Sequence, residues 1–218
     1  MKITGAIFDL DGTLLNSMHI WADIGIKYLN ACGKTPKDDL MEIIKNMSML
    51  QVTDYLISEY GLKKTNEEIK NEINALIEGQ YRDEVLPKAG VVQMLEKLHA
   101  HGVKMAVASA TDKPLVEMAL KRNGIYHFFT DVFTCATVGA GKDTPLIYEK
   151  ALELLGTPKM ETPVFEDALY AAHTAKNAGF TVVGIYDEFS ANDWEEMTSF
   201  ADFLITDYTD ENCFFNKL

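Results

Sequence analysis

Asp9 and Asp11 flank Leu10 at the end of the apolar run Ile3 to Phe8, and Gly12 and Thr13 follow them. In extended chain, side chains two apart project to the same side, so the two carboxylates are expected to be near neighbours. Like charges ~4 Å apart repel by roughly 4 kcal/mol at an effective dielectric of about 20. Such a pair needs a cation, a shared proton or water. Magnesium fits this need, since it takes hard oxygen ligands and is typically held by one or two carboxylates with phosphate oxygens completing the set. The same four residues also read as a plain turn, because Asp-Gly is common in turns.

A second acidic pair, Glu166 and Asp167, follows the apolar segment Pro163 to Phe165. If both segments are strands of one parallel sheet, their carboxyl ends bring the four acids to one place. Capping of the helix expected from Ala168 is the alternative role for Asp167, since a carboxylate suits the positive end of a helix dipole. Ser109 ends another apolar run, with Thr111, Asp112 and Pro114 opening a helix after it. Free backbone N–H groups and a hydroxyl at a helix N-terminus can seat a phosphate. Lys142, in Gly-Ala-Gly-Lys-Asp-Thr-Pro, opens a further helix, from which an ammonium could reach that phosphate. The segment from Ala136 to Asp143 matches a P-loop only at Gly141 and Lys142, and Asp9 to Ile20 lacks the Gly and the bidentate Glu of a calcium loop.

The elements that must position these residues alternate along the second part of the chain. Helix Val91 to His101, strand Val103 to Ser109, helix Lys113 to Asn123, a short strand near Val132 to Cys135 and helix Thr144 to Leu155 come first. Strand Thr162 to Phe165, helix Leu169 to Ala178, strand Thr181 to Ile185, helix Asn192 to Phe200 and strand Phe203 to Ile205 complete the series. This alternation predicts a doubly wound α/β core, a parallel sheet covered on both faces, to which the first strand also belongs. Between Met18 and Arg82 the apolar spacing is helical throughout, as in Ile69, Ile73, Leu76 and Ile77. The expected organisation is therefore a core of residues 1–15 and 85–218 with a four-helix cap, residues 16–84, inserted after the first strand. Ligands bind outside the carboxyl ends of the strands in such sheets, and the insert leaves from that edge. Its hinges are expected near Leu15 to Ser17 and Asp83 to Lys88.

With 47% hydrophobic and 24% charged residues, the 218-residue chain has globular composition. Its longest apolar runs are strand-sized, short of the ~20 residues of a membrane helix, and the N-terminus lacks the pattern of a signal peptide. A cytoplasmic protein is expected. Cys32, Cys135 and Cys213 are scattered and read as free thiols. A formal net charge of -13 argues against nucleic acid as a partner, while screening over ~8 Å leaves a phosphate-binding site to its own local cations. The charge surplus carries no information on self-association.

Taken together, Asp9-Leu10-Asp11-Gly12-Thr13-Leu14, Ser109 after an apolar strand, Lys142 and Val164-Phe165-Glu166-Asp167 resemble the haloacid dehalogenase superfamily, in its phosphatase and phosphoglucomutase-like branch. The resemblance implies a Rossmann-like core with a helical cap. It also implies a magnesium-dependent phosphatase of small phosphorylated metabolites, sugar phosphates or similar phosphomonoesters, working through an aspartyl-phosphate. By the same resemblance Asp9 is the nucleophile and Asp11 the general acid and base, with Ser109 and Lys142 holding the phosphate. Asp9, the Asp11 main-chain carbonyl and Asp167 would bind Mg2+, with Glu166 close by. Departures from the branch include Asn16 before Ser17, Asp143 after Lys142, Ala168 and Ala171 after Asp167, and Trp21 where similar sugar-phosphate mutases carry a His. Ser17, His19, Trp21 and the segment Asn46 to Met49 are candidates to face substrate from the cap, with packing inside the insert as the plainer reading. A phosphomutase using the same two aspartates is the neighbouring alternative. A non-catalytic phosphate-binding or receiver-like signalling protein is the alternative of another class, and it has no use for Asp11 or a lid.

Overall fold

The computed structural model describes residues 2–45 and 47–210. Strand β1 (Gly5–Phe8) leads into helices α1 (Met18–Trp21), α2 (Ile24–Ala31), α3 (Leu40–Ile44), α4 (Met49–Tyr60) and α5 (Asn66–Asp83). Next come α6 (Val91–Ala100), β2 (Lys104–Ser109), α7 (Lys113–Arg122), β3 (Phe129–Thr134), α8 (Cys135–Val138) and α9 (Leu146–Leu155). The chain continues with β4 (Val164–Glu166), α10 (Leu169–Asn177), β5 (Val182–Ile185), α11 (Trp194–Phe200) and β6 (Phe203–Ile205). The six strands form one parallel sheet in the order β3-β2-β1-β4-β5-β6. This is the doubly wound α/β arrangement expected from the alternation.

The sheet is apolar on both sides because helices cover both. Ala6, Phe8, Met105 and Val107 belong to one buried cluster, while their neighbours Ile7, Ala106 and Ala108 belong to the other, with Ile147 and Tyr148 of α9. The first cluster runs without a break into the insert, through Leu10, Leu14 and Ile20 to Leu29, Ile73 and Tyr81. Two of the insert's helices start on capping boxes, Ser48 with Gln51 in α4 and Thr65 with Glu68 in α5. An N-cap side chain of this kind contributes about 1 kcal/mol.

The insert carries four helices as expected, α2 to α5, and a separate single turn, α1, ahead of them. The stretch from Ile20 to Leu29 breaks after Trp21, whose indole N–H reaches Tyr81, while Gly25 packs against Ile44 so closely that a Cβ would stand 2.9 Å from its Cδ1. The chain's two crossings run side by side. Leu15 and Pro87 form an antiparallel bridge, with Asn16 donating to the Leu86 carbonyl at 3.0 Å and Lys88 to that of Leu14 at 2.9 Å. Cys135, expected at the end of a strand, instead opens α8, because Thr134 and Thr137 make a capping box that turns the chain. Helix α11 starts at Trp194 rather than Asn192, after a 3-10 turn over Glu188–Asp193. Cys32 and Cys135 are free thiols, and Cys213 lies outside the described residues. Among the described residues no helix is long and apolar enough to cross a membrane.

Candidate active site

From β1 the chain moves outward through β2 and β3, then returns to place β4 on the other side of β1. The carboxyl ends of β1 and β4 therefore meet where the winding reverses, which is where α/β sheets open a crevice. Asp9 follows β1 directly, Glu166 ends β4 and Asp167 follows it. The structure thus brings Asp9 to Glu166 and Asp167, more than 150 residues away in sequence, as the parallel sheet requires.

At the centre is a buried charge cluster. The Lys142 ammonium donates to Asp9 Oδ1 and, at 2.6 Å, to Glu166 Oε1. Lys142 is 3% exposed and Glu166 0%, so these charges are compensated by one another rather than by water. The Tyr148 hydroxyl also donates to Glu166 Oε1, at 2.7 Å. Glu166 Oε2, by contrast, is buried with no hydrogen-bond partner among the described residues. Burial pushes the Asp9 carboxyl well up, and the charges of Glu166 and Asp167 push further against the pull of Lys142. Burial opposes the charge on Lys142, but Asp9 and Glu166 outweigh it and raise its pKa.

Asp9, Glu166 and Asp167 each offer a carboxylate oxygen within 4.8 Å of the others. The unpartnered Glu166 Oε2 beside two further carboxylates makes a set of hard oxygen donors that fits magnesium. Asp167 accepts from Thr13 at 3.3 Å and Ser190 at 3.1 Å, and it makes no cap to α10, whose N-cap is Ala168 without a side-chain bond. Its pKa is raised to about 7, first by burial and then by Glu166 and Asp187. Gly12 makes this approach possible. Its φ is +82° and a Cβ there would lie 2.3 Å from Asp167 Oδ2, so any side chain would displace the carboxylate.

Asp11 stands apart from the acidic cluster. Its carboxylate accepts from three hydroxyls, Ser17 at 2.6 Å, Tyr81 at 2.5 Å and Thr111 at 2.6 Å. Trp21 donates to the Tyr81 oxygen at 2.8 Å. Burial and the neighbouring Asp11 push the Tyr81 phenol well up, so it remains a neutral donor. The repulsion expected between Asp9 and Asp11 is thus resolved by giving them different partners, an ammonium for one and hydroxyls for the other.

A cavity of about 200 Å3 opens onto Asp9, Asp11, Lys142, Glu166 and Asp167, and Trp21, Met47 and Met49 are among the insert residues facing it. Three expectations for substrate contact come out differently. Ser17 is fully buried and spends its hydroxyl on Asp11. His19 is exposed and does not line the cavity, because on the single turn of α1 it is Ile20 that faces inward. Trp21 does line it, with its N–H engaged by Tyr81. Asn46 lies outside the described residues. Ser109 is buried behind the cavity and accepts from Thr111 N–H at 3.0 Å, while Ala110 and Thr111 of its loop face the cavity.

Tyr81, Tyr148, Ser190 and Lys88 are further residues of the site that no motif in the sequence marks. Tyr81 continues the Ile69, Ile73, Ile77 stripe of α5 and could have been found there, since a phenol on a buried face must find a partner. Lys88, which bonds the Tyr186 carbonyl at 2.7 Å and Asp187 at 2.9 Å, carries no comparable signal.

The sequence model of the haloacid dehalogenase-like hydrolases matches residues 6–185. The bifunctional riboflavin kinase/FMN phosphatase of Arabidopsis thaliana is 26% identical over 82% of this chain, which spans only 47% of that protein's length. A probable pseudouridine-5'-phosphatase of Drosophila melanogaster is 25% identical, with 93% of this chain and 92% of that protein covered. Among solved structures, CbbY from Rhodobacter sphaeroides in complex with phosphate has a TM-score of 0.84 over 97% of both chains, at 19% identity, a likeness of fold alone.

Proposed function

Because the chain belongs to the haloacid dehalogenase-like hydrolases, we propose that it is a magnesium-dependent phosphatase that hydrolyses a small phosphomonoester through an aspartyl-phosphate on Asp9. The observation that carries this reading is the pairing of a buried Asp9 carboxylate with Lys142 beside Glu166 and Asp167, the three carboxylates each offering an oxygen within 4.8 Å of the others. Asp9, Asp167 and Glu166 would hold the metal, together with the Asp11 main-chain carbonyl. When bound there, magnesium supplies positive charge that offsets the carboxylates and the phosphate oxygens.

The residues divide the work as their partners suggest. Lys142 offsets the charge of the incoming phosphate, with the loop of Ser109 to Thr111 behind it. An Asp9 oxygen attacks phosphorus as the bond to the leaving alkoxide breaks, and Asp11, which enters the cycle protonated, gives that alkoxide its proton. Asp11 then takes a proton from water, whose oxygen attacks phosphorus, releasing inorganic phosphate and restoring Asp9. Residues 16–84 act as a cap that excludes bulk water from this sequence, moving on the paired crossings at Leu15 and Pro87 against a core of residues 1–15 and 85–218.

Release of inorganic phosphate from a panel of phosphomonoesters, with magnesium or with chelator, tests the reading. Magnesium-dependent release supports it, and an absence of release from every ester would sink it. Tyr81→Phe removes one of the three hydroxyls on Asp11 and is expected to lower kcat about 10-fold, as loss of a bond to a charged group does. Magnesium affinity should not change, because the Asp11 side chain lies outside the metal cluster, and a parallel fall in metal affinity would refute the division of roles.

Metal binding should also depend on pH. Asp167 holds its proton up to about 7 in the metal-free protein. Because its folded pKa is raised, its contribution to stability is present at low pH and is lost as pH rises through about 7. Magnesium needs the ionised form, so its apparent affinity is expected to be about 10-fold weaker at pH 6 than at pH 8. Calorimetric titration at the two pH values measures this, and equal affinities would remove Asp167 from the metal set.

A further inference from the structure

The cavity over Asp9 has two unlike walls. Its core wall carries Lys142 and the carboxylates, whereas the insert contributes Trp21, Ile24, Ile44, Met47, Met49 and Val52 among its lining residues. Among the described residues, every side chain that the insert presents to this cavity is apolar except Lys45 and the edge of Trp21. Neither of these is idle. Lys45 pairs with Asp193 at 2.9 Å, and the Trp21 N–H is donated to Tyr81. A leaving group lying against this wall therefore meets thioethers, branched aliphatics and an indole face. Met side chains adapt to flat or irregular apolar bodies and make favourable contacts with rings.

We propose that the substrate's leaving group is an apolar body of about one ring, and not a polyhydroxylated sugar. This rests on the phosphatase reading above. The available volume points the same way, since an apolar cavity of ~150 Å3 holds one benzene ring and the cavity here, about 200 Å3, must also take the phosphate. Each sugar hydroxyl brought against the insert wall gives up its bonds to water without a replacement, which costs roughly tenfold in binding or more. A hydrocarbon ring gives up nothing and gains contact with the wall.

The test compares kcat/KM for cyclohexylmethyl phosphate and glucose 6-phosphate. Both carry a six-membered ring one CH2 from the phosphate and both release a primary alkoxide, so they differ chiefly in the hydroxyls. A preference for the cyclohexyl ester of about tenfold or more is expected. A smaller preference, or a reversed one, overturns the inference while leaving the phosphatase reading standing. Failure of both esters and of 4-nitrophenyl phosphate to release phosphate overturns that reading, and the inference with it. Met49→Gln, nearly isosteric and at a partly exposed position, adds a hydrogen-bonding group to the wall. It should narrow the preference by about threefold or more, and an unchanged ratio would show that the insert wall does not set it.

Discussion

Asp9→Asn is expected to reduce kcat on the order of 10^4-fold or more, the scale seen when a covalent nucleophile is removed from an otherwise intact site. The substitution keeps the shape and most of the packing of a side chain that is only 6% exposed, so the loss would reflect chemistry rather than unfolding. Two properties disappear together. The amide is a poor nucleophile toward phosphorus, and it no longer balances the Lys142 charge that holds it in place. Rapid-quench experiments add an independent readout, since wild type should carry a hydroxylamine-sensitive phosphate during turnover and Asp9→Asn none. Retention of more than about 1% of wild-type turnover would be a loss of under about 100-fold, far short of the expected 10^4-fold, and would assign the nucleophile to another residue.

Lys142→Met is expected to cost about 3–5 kcal/mol of stability at neutral pH, because it strips the cation from a buried ion cluster and leaves its partners uncompensated. Asp9 and Glu166 both depend on this one ammonium, and Asp167 lies beside them. The cost should shrink as pH falls. Without Lys142 the pull that lowers the Asp9 pKa is gone, so its folded value rises further above the unfolded one, and the stability it contributes survives only where the carboxyl is protonated. Denaturant titrations at pH 5.5 and pH 7.5, with and without magnesium, separate the terms. Magnesium should recover part of the loss at the higher pH by replacing the missing positive charge. A variant as stable as wild type at pH 7.5 without metal would mean that the cluster does not rely on Lys142.

Much of this site could be read along the chain because its signals are local. An apolar run that stops at an acid marks a strand end, as at Asp9 and Glu166, and the alternation of helices and strands implies that such ends share one edge of a parallel sheet. Helical spacing between Met18 and Arg82 likewise marked the insert, and spacing needs no knowledge of neighbours. Local pattern decides least where one turn of chain could face either way. His19 and Ile20 are adjacent, and only the packing of α1 decides that the isoleucine is inside. Cys135 could end a strand or begin a helix, and the cap pairing of Thr134 with Thr137 decided it.

The doubly wound sheet, the helical insertion after β1 and the convergence of acids at two strand ends are legible in the order of residues along the chain. Which of the site's groups bond to which is set by packing between distant elements. Lys142 reaches across 133 residues to Asp9 and 24 to Glu166, while Tyr81 reaches across 70 to Asp11. Hydrophobic spacing specifies which face of an element is buried, but the partner of a polar group depends on distances set by packing between elements far apart in sequence. The same holds for proton affinity, since burial is the largest influence on Asp9, Lys142 and Asp167 and burial belongs to the folded molecule as a whole.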